Sequence, residues 1–213
     1  SAAGHRMTIL KAAAALQEDE LNPQATFDRR GAAHSNSHAE AERRHLTVMF
    51  ADLVDSTRLS QALDPEDLRE VNRAYQDAAK TAIERYGGFV ARYMGDGVLV
   101  YFGYPQAHED DAERAVQAGL ALVEAIPALK TPTQVAVRIG IATGPVVVGD
   151  VIGEGASQES AVVGETPNLA ARLQGEADEN QVVIAQATQR LVGGLFELAT
   201  LGVRELKGFS EGQ

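Results

Sequence analysis

Two aspartates carry the first chemical signal. Asp52 closes the apolar run LTVMFA within FADLVDST, and Asp96 stands between two glycines in RYMGDGV. Taken singly, each has an ordinary reading: an Asp caps a turn, and Asp-Gly supplies hairpin geometry. Taken as a pair, they suit Mg²⁺ or Mn²⁺, hard cations that take oxygen ligands and need only one or two protein carboxylates beside substrate phosphates. Two such ions would activate an attacking hydroxyl and stabilise a leaving phosphate. The segment Leu53, Val54, Asp55, Ser56 and Thr57 would turn backbone N–H groups toward those phosphates, as turns before helices do. Within it Asp55 reads as a residue that shapes the loop and not as a metal ligand. Asn168 and Arg172, four apart in TPNLAARLQG, share one helix face. That face is either plainly solvated, with Arg172 pairing Glu176, or an amide that orients a sugar beside a guanidinium that stabilises phosphoryl charge. Lys207, in RELKGF, reads locally as an exposed lysine on an edge strand. The five histidines show no metal spacing, and no Ser–His–Asp or Walker-type pattern occurs.

The elements that must position these residues follow from punctuation and period. HLTVMFAD is a buried strand. LDPEDLREVNRAYQDAAKTAIERYGG is a helix with Asp64 as N-cap, Pro65 at its first position, acids in the first turn and Gly87–Gly88 as the stop. FVARYM and VLVYFG flank a hairpin at Gly95-Asp96-Gly97. HEDDAERAVQAGLALVEAI is a second helix and QVAVRIGIATG a fourth strand. The order β-α-β-β-α-β predicts an α+β, ferredoxin-like unit, with an antiparallel sheet and both helices on one face. There the first and third strands are antiparallel neighbours, so Asp52 and Asp96 should converge at one sheet end although 44 positions separate them (96 − 52). A C-terminal extension follows. PVVVGDVIG and SAVVGE read as short strands, TPNLAARLQG as a short helix with Thr166 as N-cap and Gly175 as stop, QVVIA as a strand, QATQRLVGG as a helix, and FELATLGVRELKGF as two short strands.

Residues 1–43 differ from the catalytic part expected over 44–213. The opening SAAGH reads as a tag remnant. MTILKAAAALQEDEL has helical spacing at Ile9, Leu10, Ala13 and Leu16, and a polar, aperiodic connector follows. The net charge of −11 argues against a nucleic-acid partner, which would need a basic face, but not against a nucleotide substrate. No apolar run approaches a membrane span, and the lack of cysteine fits a reducing, cytoplasmic setting.

VMFADLVDST, RYMGDGVLVYFG, RIGIATGPVVVGDVIG and AVVGETPNLAARLQ together resemble the catalytic domain of bacterial class III nucleotidyl cyclases, the adenylate and guanylate cyclase family. The resemblance implies a head-to-tail homodimer with active sites at the interface and two Mg²⁺ or Mn²⁺ ions per site. Asp52 and Asp96 match the metal-binding aspartates, contributed by one chain. Asn168 matches the ribose-orienting asparagine and Arg172 the transition-state arginine, both from the partner chain; Lys207 matches a phosphate-contacting lysine. The implied reaction makes a 3′,5′-cyclic nucleotide and pyrophosphate. Two positions depart from the adenine-reading pattern: Arg92 stands where a lysine is usual, and Ala161 stands where an aspartate or threonine is usual. The resemblance favours ATP, with GTP or a pyrimidine triphosphate as the alternative and a silent nucleotide-binding module as another. It also implies a longer parent protein bearing regulatory, ATPase or repeat regions.

Overall fold

The computed structural model describes residues 9–12, 42–149 and 161–202. Its frame is the expected split unit: β2 (Glu42–Leu53), α2 (Pro65–Arg85), β3 (Phe89–Met94), β4 (Gly97–Phe102), α3 (Asp111–Ala125) and β5 (Val137–Gly149). A short helix, α1 (Ser56–Ala62), joins β2 to α2. The extension adds β6 (Ala161–Val163), α4 (Glu165–Glu176), β7 (Gln181–Ala185), α5 (Gln186–Val192) and β8 (Leu198–Thr200). With β1 (Ile9–Ala12) they form one sheet of order β3-β4-β2-β5-β7-β1-β8, and β6 pairs with β5. No helix among the described residues is long and apolar enough to cross a membrane.

Strand alternation divides the core between the two sheet faces. Met49, Ala51 and Leu53 of β2 pack with Val98, Val100 and Phe102 of β4 against Tyr75 and Ile83 of α2 and Val116 and Leu122 of α3. Leu46 and Val48 face the other way, toward Leu169, Ala170 and Leu173 of α4. A slip of one residue in β2 would turn Asp52 from the α4 face to the α2 and α3 face, so burial on both faces fixes its direction. A line of buried hydroxyls, Thr47 to Thr143 to Thr188 at 2.9 Å each, ties β2, β5 and α5 together. Each hydroxyl satisfies the next, which removes the penalty of burying them.

The α2 ends are as the sequence dictates. Asp64 is extended at the N-cap, Pro65 opens the helix, Glu66 and Asp67 fill its first turn, and Gly87 leaves it at φ 74. The approach of α4 to the sheet is unusually close: a Cβ on Gly140 would fall inside the backbone of Ala170 and Gln174.

Three expectations change. Ile9–Ala12 is a strand, not part of a helix: it pairs in parallel with β7 through Ile9↔Val182 and with β8 through Ile9↔Leu198. The slot between these two strands offers a ladder on both sides, and that pairing overrides the local helical spacing. PVVVGDVIG does not begin a new strand; β5 runs unbroken through Gly144 and Pro145 to Gly149. Proline is tolerated there because β7 pairs only as far as Ile141 and β6 starts only at Val147, so Pro145 lacks a third-strand neighbour. Thr166 lies inside α4, whose N-cap is Gly164, and its hydroxyl donates to the Pro145 carbonyl at 3.1 Å instead of capping; Gly175 also lies inside the helix. Of FELATLGVRELKGF, the strand Leu198–Thr200 is seen; the second expected strand lies outside the described residues.

Candidate active site

Asp52 occupies the penultimate position of β2, directly across from Gly97 on β4 and from Arg138 on β5. Met94 pairs with Gly97, so Gly95 and Asp96 form a two-residue turn. Gly95 supplies the left-handed backbone this turn requires, at φ 66. The Gln76 amide of α2 donates to the Gly95 carbonyl at 3.3 Å, fastening the turn to the helix. The two carboxyl groups thereby meet and share a hydrogen bond. Burial first, then this bond to Asp96 and its negative charge, push the Asp52 carboxyl up to about 7. The Leu53 N–H and the Arg138 guanidinium pull it down without prevailing.

This arrangement fits a divalent oxygen-seeking cation. Two like charges forced together are what a cation relieves. Among the described residues no group of three or more His, Cys, Asp or Glu side chains could hold a metal, so the pair would rely on substrate oxygens to complete the coordination, as Mg²⁺ sites commonly do. Two buried side-chain atoms lack a hydrogen-bond partner among the described residues, the Tyr75 hydroxyl and Arg138 Nε. The Arg138 guanidinium pulls the Asp52 carboxyl down, and the charges of Asp52 and Asp96, after burial, push the Tyr75 phenol up.

The loop after Asp52 has its own constraints. Val54 N–H donates to the Ala136 carbonyl at 2.9 Å, and the Leu53 N–H turns to the Asp52 carboxyl, so neither points outward for a phosphate. Asp55 adopts the left-handed conformation (φ 54, ψ 31), its carbonyl receives the Leu59 N–H at 2.9 Å, and its carboxylate lies 3.9 Å from Arg58. Those contacts suit a residue that shapes the turn. Ser56 and Thr57 open α1, with Thr57 exposed.

Asn168 and Arg172 stand on α4. Asn168 is exposed, with its amide 3.5 Å from the Gly164 carbonyl; Arg172 is half-buried. Arg92 is exposed on β3, opposite Leu99 and immediately after an irregularity in pairing between Val90 and Arg92. Its charge reaches the buried Tyr101 phenol, opposing the upward push of burial there. Ala161 opens β6 across from Gly149. Lys207 lies outside the described residues.

Sequence reasoning missed Arg138. The available signal was an arginine inside an apolar strand run, VAVRIGIA, where a charge is kept only for a partner. Its register opposite Asp52 could be read only once β2 and β5 were paired.

A family model described as the adenylate and guanylate cyclase catalytic domain matches residues 39–213. Among curated proteins, an adenylate cyclase of Streptomyces coelicolor is 34% identical over 146 residues, covering 68% of this chain and 33% of that protein. Adenylate cyclase 1 of Rhizobium meliloti is 29% identical over 178 residues, covering 80% of this chain and 27% of that protein. The chain thus spans a third or less of these curated relatives. Among solved structures, the adenylyl cyclase CyaB from P. aeruginosa superposes with a TM-score of 0.75 at 29% identity, covering 81% of this chain and 92% of that one. The guanylyl cyclase Cya2 does so at 0.69 and 31%, covering 78% and 89%.

Proposed function

Since this chain belongs to the adenylate and guanylate cyclase catalytic-domain family, we propose that it converts ATP into 3′,5′-cyclic AMP and pyrophosphate at the interface of a head-to-tail homodimer. The observation that carries this reading is the meeting of Asp52 and Asp96 at one sheet end, with Arg138 directly across from Asp52.

Asp52 and Asp96 would hold the Mg²⁺ or Mn²⁺ ions, which supply Lewis acidity toward the ribose hydroxyl and the α-phosphate. The ribose 3′-oxygen forms a bond to the α-phosphorus as the bond from that phosphorus to the β-phosphate oxygen breaks. The hydroxyl proton leaves to solvent and pyrophosphate carries away the bonding pair. Arg172, from the partner chain, supplies charge to the α-phosphoryl oxygens as negative charge moves in the transition state. Asn168, beside it on α4, holds the ribose so that the 3′-oxygen is in line. Arg138 adds positive charge where the β- and γ-phosphates approach Asp52. Lys207 adds a second charge to the phosphates, and the backbone around Asp55, Ser56 and Thr57 contributes the remaining donors. Residues 44–213 form the catalytic unit, cytoplasmic and attached to regulatory regions in a longer parent.

Base choice has a second reading. Arg92 offers only donors and Ala161 offers none. The fork of an arginine matches the two acceptors O6 and N7 of guanine, which favours GTP, whereas the relatives named adenylate cyclase favour ATP.

The test is to incubate the protein with each of the four ribonucleoside triphosphates and Mn²⁺ and identify products by mass spectrometry. A cyclic monophosphate from ATP is expected. No cyclic product from any of the four, at high protein concentration, overturns the reading. Asp52→Ala and Arg172→Ala should each be inactive, while their mixture regains activity because one of its two sites is intact. Heterodimers that form without activity would refute the shared site.

A further inference from the structure

One strand of the sheet comes from outside the residues that match the family. Ile9–Ala12 precedes the matched residues 39–213, and a connector of 29 residues (42 − 12 − 1) separates it from β2. It lies between β7 and β8, parallel to both, with Ile9 in register with Val182 on one side and Leu198 on the other. The two flanking strands depend on it unequally. β7 has a second ladder, to β5, from Arg138↔Gln181 to Ile141↔Ile184, and Val182, Val183, Ile184 and Ala185 are all buried. β8 is three residues long and pairs with no strand but β1 among the described residues. Its Leu198 and Ala199 are only half-buried, and Thr200 is exposed.

A strand so short, with so little surface buried, is held by its ladder. If β1 leaves the slot, β7 stays in place as an edge strand. β8 is left with no backbone partner, and its N–H and C=O groups turn to water. Short, lightly buried elements open locally at far lower free energy than a core strand does. The connector keeps the released strand on the same chain, so its return is intramolecular. Lys207, which the proposed function sets on the triphosphate, follows Thr200 by seven residues (207 − 200). Such a length of chain spans at most about 25 Å, so the seat of β8 limits where Lys207 can reach.

We propose that Ile9–Ala12 is a coupling strand. Seated between β7 and β8, it holds β8 in the sheet and Lys207 within reach of the triphosphate; withdrawn, it releases both. This rests on the reading of Lys207 as a phosphate-contacting residue of a cyclase. An event that pulls on or covers the N-terminal segment thereby changes triphosphate affinity without touching the aspartate pair.

A proline at position 10 of the full chain tests this, because proline lacks the N–H and its ring obstructs a central strand. Wild type, Leu10→Pro, Lys207→Ala and the double variant are compared by amide hydrogen exchange and by the kinetics of cyclic product formation from ATP with Mn²⁺. In Leu10→Pro the amides of 198–200 should lose protection while those of β7 bonded to β5 keep theirs. Its KM for ATP should rise about 10-fold, as for the loss of one charged hydrogen bond, with kcat near that of wild type. Lys207→Ala should behave alike, and the double variant should be no worse than either single one. Wild type alone supplies a second measurement: residues 9–12 and 198–200 should exchange together, and faster than the buried β7 ladder. If 198–200 stay protected after 9–12 have exchanged, or stay protected in Leu10→Pro, β1 does not hold β8 and the proposal is overturned. Lost protection with an unchanged KM overturns the coupling, as does a double variant whose losses multiply. If wild type forms no cyclic product from any ribonucleoside triphosphate, the cyclase reading fails and takes this proposal with it, whatever the exchange shows.

Discussion

Replacing Asp52 by asparagine should make the metal-free protein more stable, and increasingly so as pH rises. The native carboxyl holds its proton up to about 7, against an ordinary value of 3.8. Between those values the native state binds more protons than the unfolded chain, so wild-type stability falls as pH climbs through the window and levels off above it. The gap from 3.8 to about 7 corresponds to at most ~4 kcal/mol at ~1.4 kcal/mol per pK unit. Asp52 is only partly buried, and solvent screening reduces the effect to ~1–2 kcal/mol. Asparagine keeps the shape and a hydrogen bond to Asp96 but carries no charge. In EDTA, urea or thermal unfolding should therefore find the two proteins within error at pH 4. At pH 8 Asp52→Asn should be ahead by ~1–2 kcal/mol, or ~3–6 °C in Tm for a domain of this size. Mn²⁺ should close the gap, because it binds the native wild-type pair and not the unfolded chain. A variant no more stable than wild type at pH 8, or an advantage that does not change with pH, would refute the view that the carboxyl pair is a stored repulsion.

Two further outcomes follow from the same geometry. Gly140→Ala forces α4 off β5, because the new Cβ meets backbone of Ala170 and Gln174; we expect a loss of ~2–4 kcal/mol in chemical denaturation, and cyclase activity falling further than stability alone accounts for. Arg138→Gln removes the charge opposite Asp52; steady-state kinetics should show kcat/KM for the triphosphate down by roughly 10²–10³-fold, with the fold intact by circular dichroism.

Much of the site was legible because it depends on topology and spacing. Once β2 and β4 are antiparallel neighbours, Asp52 and Asp96 must meet, and the sequence already carries the Gly95-Asp96-Gly97 hairpin that makes the neighbours. That Asn168 and Arg172 stand one turn apart on a single helix needed only the helix period. What escaped depends on partners remote in sequence. Ile9–Ala12 obeys a helical pattern locally and becomes a strand only because β7 and β8 leave a gap between them. Arg138 has meaning only in register with Asp52. Thr166 looked like a cap because threonine before proline usually is one; the Pro145 carbonyl competed for its hydroxyl and won.

The contact at Gly140 has a reach beyond packing. With no side chain between them, α4 and β5 meet backbone to backbone, and a tilt of one would press on the other. In the proposed dimer these elements serve different pockets: Arg138, two residues from Gly140, belongs to a chain's own metal site, while Asn168 and Arg172 on α4 are lent to the partner's. A substrate that presses on one pocket would then lean on the other through this contact. The dimer's two turnovers would then be mechanically geared, so a rate measured per subunit would depend on whether its neighbour is loaded.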